Sequence, residues 1–312
     1  MDITTVLTYL KDLLATFMTL LMMMSPAFGG SEAAYTAQNP DELITSFAVV
    51  SDIHVETNQP KSYNNLKNIL YGIKAGEDID TVVYTGDNVM NGQVLETMFF
   101  YSAIRAVMPA ENNYVVAGNH DLGNGEGDYS ALRANFIANS EIYLGEKIEQ
   151  PYFYRVVDGC YMVCLVSEDP TSEDFMMGQE QFDWIKGVFE EAKAADAQIF
   201  VFNHFPLRYL NGVKDDDAAY NDIDNTELDA LFAEYGVKLF VHGHIHDDLD
   251  ANNFYTSPKG INSINLPRCT EITEYEAGDG IVVEVYEDQV LVRGRDFIKG
   301  EWIEGLDYTY TY

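Results

Sequence analysis

The chain has 312 residues, 47% of them hydrophobic, which suits one large or two small domains with a sizeable core and argues against general disorder. Lys and Arg number 18 and Asp and Glu 51, for a formal charge of −33. Such a chain repels nucleic acid and anionic membrane at long range, so a duplex-binding role is not expected. An anionic substrate would need a local positive centre, and a bound metal can supply one.

The chain opens on an uncharged, mostly apolar run from Leu13 to Met24, followed by Ser25-Pro26-Ala27 and Gly29-Gly30. The run is too short to cross a bilayer, which takes about 20 residues. It suits the apolar part of a signal peptide with a small-x-small cleavage site, although Lys11 is balanced by Asp2 before it. Residues 1–29 are therefore read as a signal peptide or N-terminal hydrophobic helix, 30–41 as a linker and 42–312 as one domain. The expectation is an exported or membrane-associated protein; without that segment it would be cytoplasmic.

Beyond the linker, short apolar runs alternate with helical periodicity. Ile44–Val50, Thr81–Tyr84, Tyr114–Ala117, Tyr161–Val166, Ile199–Phe202 and Val237–Val241 are rich in β-branched and aromatic residues and predict buried strands. Leu66, Ile69, Leu70 and Ile73 form one apolar stripe of a helix, and Val94–Val107 predicts a second. Phe182, Ile185, Val188, Phe189 and Ala192 mark another. Leu228, Leu231, Phe232 and Tyr235 mark a fourth, with Thr226 and Asp229 as a capping pair and Gly236 past its end. Strand–helix alternation predicts an α/β domain. Gly280–Asp296 predicts two strands around a turn at Glu287-Asp288, so the sheet is mixed or there are two sheets. Tyr308–Tyr312 is either an edge strand or a frayed end.

Cys160, Cys164 and Cys269 make no disulfide framework. Within one strand Cys160 and Cys164 stand about 13 Å apart, too far to bond.

Chemistry-bearing residues sit where the strands stop. The runs lead into Asp52-Ile53-His54, Gly86-Asp87-Asn88, Gly118-Asn119-His120-Asp121, Asn203-His204 and His242-Gly243-His244-Ile245-His246. All 6 histidines fall in these segments. Ligands of α/β sheets bind outside the carboxyl ends of strands. A Gly-His-x-His arises by chance on the order of 0.01 times in such a composition, so the motif carries weight. Isolated packed histidines do not explain the whole set, and clustered metal ligands do.

The ordered set Asp-x-His, Gly-Asp, Gly-Asn-His-Asp, His, Gly-His-x-His resembles the calcineurin-like metallophosphoesterase superfamily from Asp52 to His246. The resemblance implies a metallophosphatase-like, four-layer α/β/β/α sandwich of two mixed β-sheets flanked by helices. It implies two divalent or trivalent metal ions, Mn, Fe or Zn. One would be held by Asp52, His54, Asp87 and His246, the other by Asp87, Asn119, His204 and His244, with Asp87 bridging. Oxygen and imidazole donors without thiolate agree with those metals. It further implies hydrolysis of a phosphomonoester or phosphodiester by a metal-bridging hydroxide, with His120 assisting the leaving group and Asp121 orienting its ring. The substrate would be a small phosphorylated molecule, and no stable partner is implied.

His54 is present and no Tyr follows Gly86-Asp87 closely, a departure from the purple acid phosphatase pattern. His242 reads as a packed residue, and Asn203 stands where many relatives carry His. Arg208 is either a substrate-anion contact or a solvated loop residue. The run Lys214-Asp215-Asp216-Asp217 with Asp222 and Asp224 lacks Ca²⁺-loop spacing and reads as a solvated acidic loop. Gly123-Asn124-Gly125-Glu126-Gly127 is not a dinucleotide fingerprint and predicts a mobile loop beside the site. The alternative is a non-catalytic, metal-stabilised surface or binding protein. His120 and Asp121, which are not needed to hold metal, argue against it.

Overall fold

A computed structural model describes residues 13–14, 17, 20–21, 34–169, 175–207, 225–270 and 277–312. Most of residues 1–29, Arg208 and the acidic run from Lys214 to Asp224 lie outside the described residues. No described helix is long and apolar enough to cross a membrane.

Among the described residues, twelve strands form two mixed sheets of six. The first sheet contains β1 (Thr45–Val50), β2 (Thr81–Tyr84), β3 (Asn113–Val115), β10 (Asp279–Val285), β11 (Gln289–Asp296) and β12 (Glu301–Thr311), in the order β12-β11-β10-β1-β2-β3. The second contains β4 (Phe153–Val157), β5 (Cys160–Cys164), β6 (Gln198–Phe202), β7 (Leu239–His242), β8 (Phe254–Thr256) and β9 (Asn262–Asn265), in the order β4-β5-β6-β7-β9-β8. β1, β2 and β3 run parallel, as do β5, β6, β7 and β9. The antiparallel strands β10–β12, β4 and β8 complete the sheets.

The parallel strands are buried along most of their length because both faces are covered, which is why their sequences read as continuous apolar runs. In β6 the alternation is visible. Phe200 and Phe202 meet Phe47 of β1 edge to face, with ring centroids 5.5 and 5.8 Å apart, so this face looks toward the other sheet. Ile199 and Val201 face the opposite way and pack with the helices α4 (Gln179–Ala194) and α5 (Asn225–Tyr235). On the outside of the first sheet lie α1 (Pro60–Lys74) and α2 (Val94–Val107), whose buried Leu66, Ile69, Leu70, Phe100 and Ile104 join the main core. A shorter helix, α3 (Tyr129–Asn139), buries only Phe136. These layers are the two mixed, helix-flanked sheets that the sequence predicts.

Tyr286 N–H donates to the Gln289 carbonyl at 2.9 Å, closing the two-residue turn at Glu287-Asp288. The C-terminal run is an edge strand, β12, and it begins at Glu301 rather than Tyr308. Gly236 takes the left-handed conformation past α5 (φ 68°). Asp229 accepts from the Ser257 hydroxyl at 2.9 Å, tying α5 to the loop after β8 rather than serving only its own helix end. All three cysteines are free and buried.

Asp279 and Asp296 stand directly opposite on β10 and β11. Burial, with the charges of Asp296 and Asp248, pushes the Asp279 carboxyl up to about 7. A carboxyl raised in the folded state contributes its full stability below the unfolded pKa of about 4, and loses it as pH rises through 7. Asp279→Asn is therefore expected to match the parent at pH 4 and to exceed its stability at pH 8. The gain is on the order of 1–2 kcal/mol, allowing for partial exposure. Urea unfolding at the two pH values checks it, and an equal difference at both removes the like-charge explanation.

Candidate metal centre

The sheet ladders continue past the ends of β1 and β2 and lock the loops that follow. Asp52 N–H donates to the Gly86 carbonyl (3.1 Å), His54 N–H to the Asp87 carbonyl (2.8 Å) and Val55 N–H to the Asn88 carbonyl (3.0 Å). In the second sheet, Gly243 N–H donates to the His204 carbonyl at 3.0 Å. Parallel neighbours put their carboxyl ends on one rim, and the packing of the two sheets brings both rims together.

Asp52, His54, Asp87, His244 and His246 all adopt left-handed backbone conformations, with φ of 54°, 48°, 50°, 76° and 62°. Each costs on the order of 1 kcal/mol for a residue with a side chain, and the fold holds them there at one place. Two motif glycines have a complementary reason. A Cβ on Gly118 would collide with the Asp87 carboxylate, and one on Gly243 with the Ser51 hydroxyl and the Asp52 carboxylate. Glycine at these positions lets backbone pass directly behind the acids.

The side chains converge in two groups that share Asp87. In the first, His246 Nε2 lies 2.8 Å from Asp52 Oδ1 and 3.1 Å from His54 Nε2, while His54 Nε2 lies 3.6 Å from Asp87 Oδ2. In the second, His204 Nε2 lies 3.2 Å from Asp87 Oδ2 and 3.3 Å from His244 Nδ1. Within each group the donor atoms lie within 4.8 Å of one another, and each group could hold a metal ion. Asp52, His54, Asp87 and His204 are almost fully buried, and His244 and His246 face the opening.

Burial opposes charge on Asp52 and Asp87, but the surrounding imidazoles, His204 first, outweigh it. Asp52 is held well below the usual carboxylate range and Asp87 near 2. Burial lowers His54, and burial with the charge of His204 lowers His244 to about 4. Burial works against charge on His204 too, yet Asp87 and Asp52 raise it to about 9. Two anionic carboxylates beside neutral His54 and His244 match the forms in which these groups bind cations.

Asn119 fits the same centre. Its Nδ2 donates to Asn124 Oδ1 at 2.8 Å, while its Oδ1 is buried without a hydrogen-bond partner among the described residues. A buried orphan carbonyl oxygen suits a cation better than any neighbour present. The glycine-rich stretch lies beside the site, as expected. It is a hydrogen-bonded turn, with Asn124 N–H donating to the Asn119 carbonyl at 2.7 Å, and it fixes the amide. His204 Nδ1 lies 3.0 Å from the Thr85 carbonyl and donates to it, so Nε2 is the nitrogen that would give up its proton to a bound metal.

His120 lies at the rim, with Nε2 4.0 Å from Asp87 Oδ2. Its backbone N–H donates to Asp87 Oδ1 (2.9 Å), and its Nδ1–H faces the Met90 carbonyl at 2.6 Å. The carbonyl of Met90, which no sequence motif marks, therefore does what was expected of Asp121. Asp121 is a correction: its carboxylate accepts from the backbone N–H groups of Asn88, Val89 and Gly118 and from the Asn88 side chain, and does not orient the ring. Burial and the charge of Asp87 push it up to about 7. Its job is to tie the loop after β2 to the loop after β3. His242 is packed as predicted, with Nε2 2.8 Å from the Tyr255 hydroxyl. Asn203 donates to the Phe205 carbonyl at 2.9 Å. Arg268, unmarked by any motif, lies on the segment paired with Ser51.

Two mixed sheets that bring carboxylate, imidazole and amide donors to one rim define a metallohydrolase architecture. The chain belongs to the calcineurin-like phosphoesterase family, whose model matches residues 45–248. It is accordingly a hydrolase acting on phosphate esters. A protein of Colwellia psychrerythraea named "Probable cyclic nucleotide phosphodiesterase" is 21% identical over 231 residues, which cover 70% of this chain and 78% of the relative. The crystal structure of a dimetal phosphatase from Danio rerio superposes with a TM-score of 0.61 at 14% identity, covering 86% of this chain and 99% of that one. The latter likeness is one of fold.

Asp121→Ala strips the acceptors from three buried N–H groups, a loss of about 2–4 kcal/mol by the usual cost of unpaired buried donors. Thermal unfolding should show a clearly lowered midpoint, and an unchanged midpoint contradicts the tying role. Gly243→Ala should displace Asp52 and reduce metal retained after dialysis, measured by elemental analysis, while the far-ultraviolet circular dichroism stays native.

Proposed function

We propose that the chain is a dinuclear metal-dependent phosphoesterase acting on a small phosphorylated substrate, with residues 42–312 as its working domain. The observation that carries this reading is the pair of donor groups sharing Asp87. Asp52, His54, Asp87 and His246 would hold one ion; Asp87, Asn119, His204 and His244 would hold the other. The donors suit Mn, Fe or Zn. When bound, such a pair supplies Lewis-acid charge to phosphate oxygens and lowers the pKa of a coordinated water.

The chain's own residues do the rest. Asp87 and Asp52, anionic and buried, fix the charge of the centre. Thr85 and Met90 carbonyls hold the rings of His204 and His120 in register. With Nδ1–H committed to Met90, His120 carries any second proton on Nε2, the atom facing the centre. From there it can pass that proton to the departing alkoxide oxygen as the P–O bond breaks. The placement of His120 favours this over a non-catalytic binding protein, because a metal-holding scaffold has no use for a fixed imidazole beside the ligands. The Colwellia relative's name adds weight to a diester substrate, but monoesters fit the same chemistry. The apolar leader, residues 1–29, is proposed as an export or membrane-association signal.

Protein loaded with Mn²⁺ should bind about two equivalents by elemental analysis and hydrolyse aryl phosphate esters. Asp87→Ala should abolish cooperative loading of both sites. His120→Ala should keep the metals and lose about 10²–10⁴ in kcat, the usual worth of a general acid. Full activity in Asp87→Ala, or one equivalent in the parent, sinks the dinuclear assignment.

A further inference from the structure

We propose that the open edge of β4 is a docking site for an extended basic segment of a partner protein, which pairs with β4 as a further strand and sets a Lys or Arg side chain in the aromatic, acid-rimmed cavity at the strand's start.

β4 is the outermost strand of the second sheet. It turns into β5 through Asp158 and Gly159, both at positive φ, and Val157 pairs with Cys160. In a two-residue hairpin of this kind the pair flanking the turn exchanges both of its hydrogen bonds, and such pairs alternate along the ladder. Val157, Arg155 and Phe153 therefore turn their backbone groups to β5, while Tyr154 and Val156 turn theirs outward. Among the described residues, nothing takes up those outward N–H and C=O groups. Edges that must stay free are blunted by Pro, Lys or a bulge. β4 has none of these, and its register with β5 runs without a shift from Phe153 to Val157. Its single charge, Arg155, belongs to the face opposite Tyr154, where it pairs with Glu146 and lies over the rings of Tyr114 and Phe153. Val156 is left 51% exposed on the face it shares with Tyr154.

The cavity indicates what the added segment carries. It measures about 390 Å³ and is lined by Tyr152, Phe153, Tyr154 and Trp184, with Glu149 and Glu180 at its mouth. Tyr152 and Tyr154 belong to one face of the strand and Phe153 to the other, so the cavity opens along the edge rather than over a face. Trp184 packs against the two tyrosines, its ring centroid 4.8 Å from Tyr152 and 6.3 Å from Tyr154. Glu191 accepts the Tyr154 hydroxyl at 3.0 Å, and Asp158 follows the end of the strand. Glu146 also lines the cavity but is engaged with Arg155, and Lys147 is the one cation on the wall. A residue of an added strand placed opposite Tyr154 turns its side chain to the same face, toward these rings. Aromatic faces with carboxylates beside them attract a cation, and alternate side chains set the specificity of strand addition. A second copy of this chain is the wrong partner, because each carries −33 and pairing two β4 edges sets the same acids against one another.

The test uses the full chain and a fluorescein-labelled peptide of alternating Arg and Thr. Its control is the same peptide methylated on every backbone nitrogen, which keeps the charges and removes the donors. Anisotropy should show saturable binding of one peptide per chain, weakened roughly tenfold in the methylated control, the worth of one or two backbone hydrogen bonds. Hydrogen exchange of the Tyr154 and Val156 amides should slow on binding. Val156→Pro removes an outward donor without touching the ladder to β5 and should weaken binding by a similar factor. The exposed double variant Glu149→Lys with Glu180→Lys should do the same through charge; circular dichroism checks that both variants fold, and if Val156→Pro does not, the methylated peptide and the exchange data decide. The proposal is overturned by absence of saturable binding, by equal binding of the methylated peptide, or by exchange protection that spares Tyr154 and Val156. Arginine methyl ester displacing the peptide with the peptide's own affinity would make the cavity a small-molecule site instead. A dimer in sedimentation equilibrium that Val156→Pro dissolves would give the edge to a second copy and also overturn it.

Discussion

Asp87 is the group on which the two halves of the molecule depend. It is nearly completely buried, sits in a left-handed turn at the end of β2, and is approached by His54 from its own sheet and His204 from the other. Its second oxygen accepts the backbone N–H of His120. A single carboxylate thus joins both donor groups and the rim imidazole, and leaving it charged in an apolar interior is tolerable only because cationic or metal-binding partners surround it. The glycine behind it, the Asp121 network beside it and the continuing β1–β2 ladder all hold its position.

Much of the fold was legible because the inner strands are covered on both faces. Thr81–Tyr84 and Ile199–Phe202 could only be short buried strands, and α1 and α4 each carry a clear apolar stripe. What escaped has physical reasons. β4 contains Arg155 and β9 reads Asn-Ser-Ile-Asn, so neither offers the apolar run that marks a strand. α3 buries a single Phe, which leaves its periodicity faint. The first half of β12 sets Trp302, Ile303 and Leu306 among Glu301, Glu304 and Gly305 without a period-two alternation, so only its Tyr-Thr end showed.

The donor set was legible for a related reason: its members directly follow the strands that deliver them, so local sequence carries the geometry. The supporting residues were harder. Asp121 spends its oxygens on N–H groups some thirty positions away, and the Met90 carbonyl that faces His120 belongs to a backbone atom any residue possesses. Arg268 comes to lie beside Ser51 through an isolated bridge that no motif encodes. Roles filled by main-chain atoms or by late-arriving segments leave no mark on residue type.

The pairing of β1 with β10 joins the first strand of the domain to one near its end, Thr45 against Val285. β1 therefore has both of its neighbours only once residues up to Val285 have left the ribosome. Until then its hydrophobic edge, next to the loop bearing Asp52 and His54, stays open. Folding of this kind is late and non-local, and nascent chains depend on protection from sticking to one another before β10 arrives.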